Sequence, residues 1–220
     1  MADPGWAGLR WPGATVVILA SGQSLTSKDC GQVHAWRLDG ENKHVIAINT
    51  TFRLAPWADV LYGCDAPWWL VGDAESARKG FSSFHQEAMA MSSGQLWTQD
   101  ARAHRDLGIR LIVSQMLPGL GKRPGVIHQG GNGGYQAINL AYQAGAAKII
   151  LLGFDMHGTH WHGKYANGLP NASRQLFSTW IANFDQLAVD LAKEGVVVKN
   201  CTRDTRLTCF EKADLSAQLE

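Results

Sequence analysis

Short, unbroken apolar runs alternate along this chain with stretches in which apolar residues recur every three or four positions. The first run, ATVVILA at 14–20, is rich in β-branched residues and reads as a strand buried on both faces. Runs at 45–48, 59–64, 109–113, 148–152 and 195–199 repeat the pattern, and polar or small residues follow most of them. Gly22 breaks the first run, and Ser24, Thr26 and Ser27 offer caps for a helix towards Trp36. A helix over 136–144 puts Ala137, Leu140, Ala141 and Ala144 on one face. One over 174–193 carries a broad stripe that includes Leu176, Phe177, Trp180, Phe184, Leu187 and Leu191. Strands alternating with amphipathic helices predict an α/β fold, with a mostly parallel sheet of about six strands and helices on both faces. The stretch at 73–108 shows no clear period and reads as an inserted helical subregion.

Length and composition narrow the class without choosing a function. The 220 residues, 45% hydrophobic and 18% charged, suit a single domain at 14–220 behind an irregular segment at 1–13. Twenty basic and nineteen acidic residues give a formal charge of +1, so there is no strong nucleic-acid signal. The first apolar run is too short to span a bilayer, and an acidic residue stands where a signal peptide would be basic. The chain therefore reads as cytoplasmic, with no membrane partner. Cys30, Cys64, Cys201 and Cys209 form no CxxC pair, which points to free thiols and gives zinc-ribbon chemistry no support. Of nine tryptophans, the adjacent Trp68 and Trp69 are expected in the core, with cleft lining as the other option.

In parallel sheets ligands bind beyond the carboxyl ends of the strands. Three segments there can carry chemistry. Ser21, Gly22, Gln23 and Ser24 form a glycine-bearing turn before a helix, where backbone N–H groups favour an anion; a simple helix cap is the competing reading. A second glycine cluster, Gly130, Gly131, Gly133 and Gly134 around Asn132, opens another helix and permits close backbone approach to a phosphate. The third segment, Asp155 to Tyr165, holds His157, His160 and His162. Histidine there serves as a general base, as a phosphate contact, as a metal ligand or merely as a solvated loop residue. The spacing is not that of HExxH, and no metal ligand set is assigned. Asp65 is a candidate for a sugar hydroxyl, for hydrated magnesium or for capping the turn that follows it. Arg53, Arg203 and Arg206 are phosphate candidates. No GxSxG elbow is present.

Taken in order, these motifs resemble those of a known group. Val17 to Leu25 is similar to the GNGPSL opening of bacterial CMP-sialic-acid sialyltransferases and of the related pterin diphosphokinase-like (motility accessory factor) proteins. Asn49, Thr50 and Thr51 resemble their Asn-bearing strand end. Gly133 and Gly134, leading to Gly153, Phe154 and Asp155, resemble their SG…LG…GxD segment, and 198–210 resembles their closing strand. The likeness runs from about residue 15 to 215. Small phage-encoded proteins with a His-Trp-His-Gly loop also resemble the chain closely. The resemblance implies a Rossmann-like fold that binds nucleotide at the first turn and at the glycine-rich helix start, with a histidine after Asp155 as base. Ser21 and Gln23 replace the Asn and Pro of the opening motif, and Gly133 replaces the serine.

The expected function is a nucleotide-dependent transferase of CMP-sugar glycosyltransferase type. A pterin-type diphosphokinase, which would require magnesium, and a non-catalytic nucleotide-binding or phage assembly protein are the alternatives. The expected catalytic residues are Asp155, His160 and His162. Nucleotide contacts are expected from Ser21, Gly22, Gln23, Ser24, Asn49, Thr50, Asp65, Asn132, Gly133 and Gly134. The expected partner is a nucleotide or nucleotide-sugar, with self-association left open; a phage-encoded chain would act in the host cytoplasm.

Overall fold

The computed structural model describes residues 8–220, so residues 1–7 of the expected lead-in lie outside it. The run at 14–20 forms β1 (Thr15–Leu19), flanked by β2 (Lys43–Ile48) on one side and β8 (Lys148–Leu152) on the other, both parallel to it. Beyond β2 come β3 (Val60–Tyr62), β4 (Gln95–Thr98) and β5 (Arg110–Leu111). Beyond β8 come β9 (Val197–Asn200) and β10 (Glu211–Lys212). The result is an eight-stranded, all-parallel sheet of order β10-β9-β8-β1-β2-β3-β4-β5, a Rossmann-like arrangement.

Burial on both faces explains why the strands read as continuous apolar runs. Val16, Ile18, Ile46, Ile149 and Leu151 face one layer, which holds α6 (Gly133–Ala144) and α7 (Arg174–Lys193). Val17, Leu19, Val45, Ile150 and Leu152 face the other, where α1 (Ser27–Leu38) contributes Cys30, Val33 and Trp36. A third cluster joins Leu61 and Phe52 to Trp68, Trp69 and Phe84. It draws on α2 (Ala66–Leu70) and α4 (Phe84–Met91). Trp68 stacks on Phe84 at 5.0 Å and also borders the cleft described below, so this pair serves both of its expected roles.

Several expectations need correction. Residues 73–108 hold α3 (Ala74–Arg78), α4 and α5 (Ala101–Leu107) together with β4, a full member of the main sheet. The run at 109–113 divides between two sheets: β5 joins the main one, while β6 (Val113–Gln115) pairs with β7 (Val126–His128). Ile112 between them is fully buried, and its N–H bonds to Thr98 O. A last short helix, α8 (Leu215–Gln218), closes the chain. Among the described residues no helix is long and apolar enough to cross a membrane.

The chain leaves β1 in one direction as far as β5 and then crosses back to place β8 on the other side. The β1/β8 pair is therefore the switch point, beyond whose carboxyl ends a ligand crevice forms. Ser21 and Gly22 follow β1, and Gly153 to Asp155 follow β8, so the two segments stand side by side at the carboxyl end of that pair.

Candidate functional site

A cleft of about 460 Å³ opens at the switch point. The ends of β1, β2, β3 and β8, the start of α6, the histidine loop and the first turns of α7 line it.

The first turn is closed from within. Ser24 donates its N–H to Asp155 Oδ2 (2.8 Å) and its hydroxyl to Asp155 Oδ1 (2.7 Å), and Gly22 donates its N–H to Gly153 O (2.9 Å). Asp155 thus occupies the place that the turn offers to an anion. Burial raises its pKa, against the opposing pull of the two Ser24 donors. Glycine at 22 is required by this packing: a Cβ there would lie 2.2 Å from Asp155 Oδ1 and 2.4 Å from Gly153 O. Ser21 faces the cleft, but its hydroxyl is held by Ile48 O (3.2 Å) and Thr51 Oγ1 (3.0 Å). Gln23 is exposed, lies against Gly158 and is not among the lining residues, and neither is Ser24. The start of α1 is sealed by a capping box between Thr26 and Asp29.

The next strand end is open. Asn49 adopts a left-handed backbone (φ 50°), and its Oδ1 is buried without a partner. Met156, just past β8, also has positive φ (57°), so both strand ends bordering the cleft bend sharply with non-glycine residues. Thr50 lies beneath the cleft wall, sharing a hydrogen bond with Tyr165 OH (3.0 Å) and accepting one from Trp68 Nε1 (3.4 Å). Asp65 is exposed at the head of α2, where its side chain makes no cap bond and its carboxylate accepts only the Cys64 thiol (3.0 Å). At the start of α6, Asn132 Oδ1 accepts the N–H groups of Gly134 (2.8 Å) and Tyr135 (3.2 Å), which removes both from an incoming anion. Gly134 packs on Phe154, where a Cβ would come within 2.6 Å of the ring. Gly133 has a looser fit beside Ile48 and Cys64 and borders the cleft.

The histidine loop folds back over the first turn. Trp161 donates its N–H to Ser21 O (2.9 Å), and His160 forms a bridge with Gly22. The His160 and His162 rings stack 5.0 Å apart, and Tyr165 lies against both at 4.8 and 5.0 Å. His160 Nδ1, His162 Nε2 and Thr159 Oγ1 are buried without partners. Burial lowers the pKa of His160. Burial, with help from His160 and Arg53, lowers that of His162 to about 4, so both rings are neutral at neutral pH. His160 borders the cleft and His162 lies behind it. His157 also borders the cleft, with Nε2 3.2 Å from Asp204 Oδ1.

The far wall is apolar: Phe154, Leu176, Phe177 and Trp180 face the polar ends of the strands. Such a wall suits a base or sugar face, and the polar side suits hydroxyls and phosphate. Two of the arginines expected at phosphate point elsewhere. Arg53 is bound by Asp73 and Glu87, and Arg203 by Asp29 and the Ser24 carbonyl. Arg206 is not a lining residue. Magnesium is usually held by one or two carboxylates together with water and substrate phosphates. Asp155 is taken by Ser24, and Asp100 accepts the Ala66, Arg102 and Ala103 N–H groups, which leaves Asp65 as the open carboxylate. Among the described residues no group of three or more His, Cys, Asp and Glu side chains gathers to hold an ion. Sequence reasoning missed Cys64, Asp100, Lys164, Phe177 and Trp180 as lining residues. For Phe177 and Trp180 the signal was present, in a stripe on α7 broader than one core face requires.

No family model matches the chain, and no curated protein matches it either. Among solved structures, the sialyltransferase CstII from Campylobacter jejuni, in complex with the substrate analogue cytidine 5′-monophosphate, is similar with a TM-score of 0.47 and 11% identity. The alignment covers 91% of this chain and 85% of that one.

Proposed function

We propose that this protein transfers a sugar from a nucleotide-linked donor of CMP-sugar type to an acceptor hydroxyl, with His160 as the general base. The observation that carries the reading is a neutral, buried imidazole on the wall of a switch-point cleft, with Nδ1 left without a partner. A ring that burial keeps unprotonated at neutral pH is ready to accept a proton.

In this reading the donor lies along Ser21, Gly22, Asn49, Asn132 and Gly133, with its base or sugar face against Phe177 and Trp180. Asn49 Oδ1, an orphan acceptor, takes a ligand N–H or O–H, and Asp65 takes a sugar hydroxyl. As the acceptor oxygen attacks the anomeric carbon, its proton passes to His160. The bond from that carbon to the phosphate oxygen breaks, and the nucleotide leaves with the electron pair. His162 holds the His160 ring by stacking, Tyr165 packs against it at a tilt, and Thr50 fixes Tyr165. Asp155 supports the first turn and moves no proton, and Gln23 and Ser24 act outside the cleft. A diphosphokinase is the weaker reading, because Asp65 is the one carboxylate at the cleft left open for its magnesium.

A second reading, nucleotide capture without turnover, is favoured by the commitment of the Ser21 hydroxyl and of the Ser24 N–H inside the protein. The test is to incubate the protein with CMP-, UDP- and GDP-linked sugars and to follow donor loss by mass spectrometry. Donor loss in wild type that disappears in His160→Ala, with nucleotide affinity retained, supports transfer. Tight binding with the donor recovered intact supports capture, and neither loss nor binding defeats both.

A further inference from the structure

Moving a sugar off a nucleotide leaves new negative charge on the departing phosphate, and a protein lowers the barrier by placing a positive group where that charge develops. Most of the basic groups near this edge of the sheet are already engaged. Arg53 is closed within a cage of Asp73, Glu87 and Ser76. Arg203 pairs with Asp29, and His157 with Asp204. Among the described lysines and arginines, Lys164 alone lines the cleft. It is exposed and makes no ion pair among the described residues.

The backbone on either side of Lys164 is fixed. Gly163 donates its N–H to His160 O (2.9 Å). Tyr165 donates its N–H to Asn171 Oδ1 (2.9 Å), and its carbonyl accepts from Asn171 Nδ2 (3.0 Å). The Tyr165 hydroxyl is tied to Thr50. An ammonium on a flexible stem is therefore mounted on an anchored loop, four residues from His160, at the mouth of the cleft.

We propose that Lys164 is the side chain that binds the ligand's phosphate and stabilises it as the nucleotide departs. This assignment rests on the transfer reading above. The contact is a charge-assisted N–H···O bond from an ammonium whose one competitor is water.

The test compares each of the four ribonucleoside monophosphates with its own nucleoside, by calorimetry on wild type, Lys164→Gln and Lys164→Arg. Wild type is expected to prefer at least one monophosphate over the matching nucleoside by about 10- to 100-fold, the size of one hydrogen bond to a charged group. In Lys164→Gln that preference falls to within about threefold while nucleoside affinity is unchanged; Lys164→Arg keeps most of it. Added salt narrows the preference in wild type and leaves Lys164→Gln unmoved. An undiminished phosphate preference in Lys164→Gln overturns the assignment and leaves the transfer reading intact. Failure of wild type to bind any nucleotide or nucleoside overturns both.

Discussion

Two buried polar clusters flank the segment that follows β2, and they are finished to different degrees. On one side, Arg53 donates to Asp73 (2.8 and 2.9 Å), Glu87 (2.6 and 2.8 Å) and Ser76 (3.0 Å), while Lys79 reaches Glu87 at 3.0 Å. Glu87 is fully buried. Burial would raise its pKa, yet Arg53, Ser76 and Lys79 hold it below the usual range. On the other side, Asn49, Thr159, His160 and His162 each bury a polar atom that nothing meets. Both clusters touch the same short turn, Asn49–Arg53, which carries Asn49 at one end and Arg53 at the other. A protein does not leave buried polar atoms unmet without cost, so the saturated cluster reads as scaffold and the unsaturated one as a place for a ligand.

The sharpest way to break this contrast is on the unsaturated side. His160→Ala is expected to lower the transfer rate by about 10²- to 10⁴-fold, the usual contribution of a general base, while the melting temperature does not fall with it. A matching loss of stability would move His160 into the scaffold. On the saturated side, Glu87→Ala leaves Arg53 partly uncompensated and is expected to cost about 3–5 kcal/mol of unfolding free energy in urea titration. Little change would show the Arg53 cage to be dispensable.

Asp155 is the intermediate case, because the sequence offers it as catalytic and the structure binds it to Ser24. Asp155→Ala is expected to cost about 1–3 kcal/mol from the unmet Ser24 donors, with nucleotide affinity lowered only as far as the turn loosens. Survival of full stability together with loss of turnover would return it to the chemistry.

The last expected effect is a pH slope. His162 titrates near 4 in the fold and near 6.5 when unfolded, so between those values the unfolded chain binds more protons and stability falls as pH falls. His162→Gln should flatten the melting temperature over that window. An unchanged slope would place the titration elsewhere.

The central strands were legible because burial on both faces writes an uninterrupted apolar run, as in VVIL of β1 and IILL of β8. The 20-residue stripe of α7 was legible by its period. β4, with the sequence QLWT, and β10, with two exposed charged residues, are too short for pattern to distinguish from loop. The segments lining the cleft follow from strand ends alone, which is why Ser21, Asn49 and the histidine loop could be found. Which atoms are free could not be read that way. Nothing local marks Ser24 as held by Asp155, nor Tyr165 as the partner of Thr50, because both contacts cross more than half the chain. Likewise His160 and His162 look alike in sequence, and only the return of the loop onto Gly22 puts one at the cleft and the other behind it.

The bond from Ser24 to Asp155 spans 131 residues. During synthesis at about 5–20 residues per second, the first turn therefore waits on the order of 10 s for its partner to leave the ribosome. Over the same interval β1 has β2 on one side and an open edge of unpaired N–H and C=O groups on the other, a template for pairing with the wrong chain. The arrival of β8 covers that edge, and the histidine loop and α7 that follow it complete the cleft. The nascent N-terminal half is thus the stage at which this protein is most exposed to aggregation, and its binding edge is among the last parts of the molecule to exist.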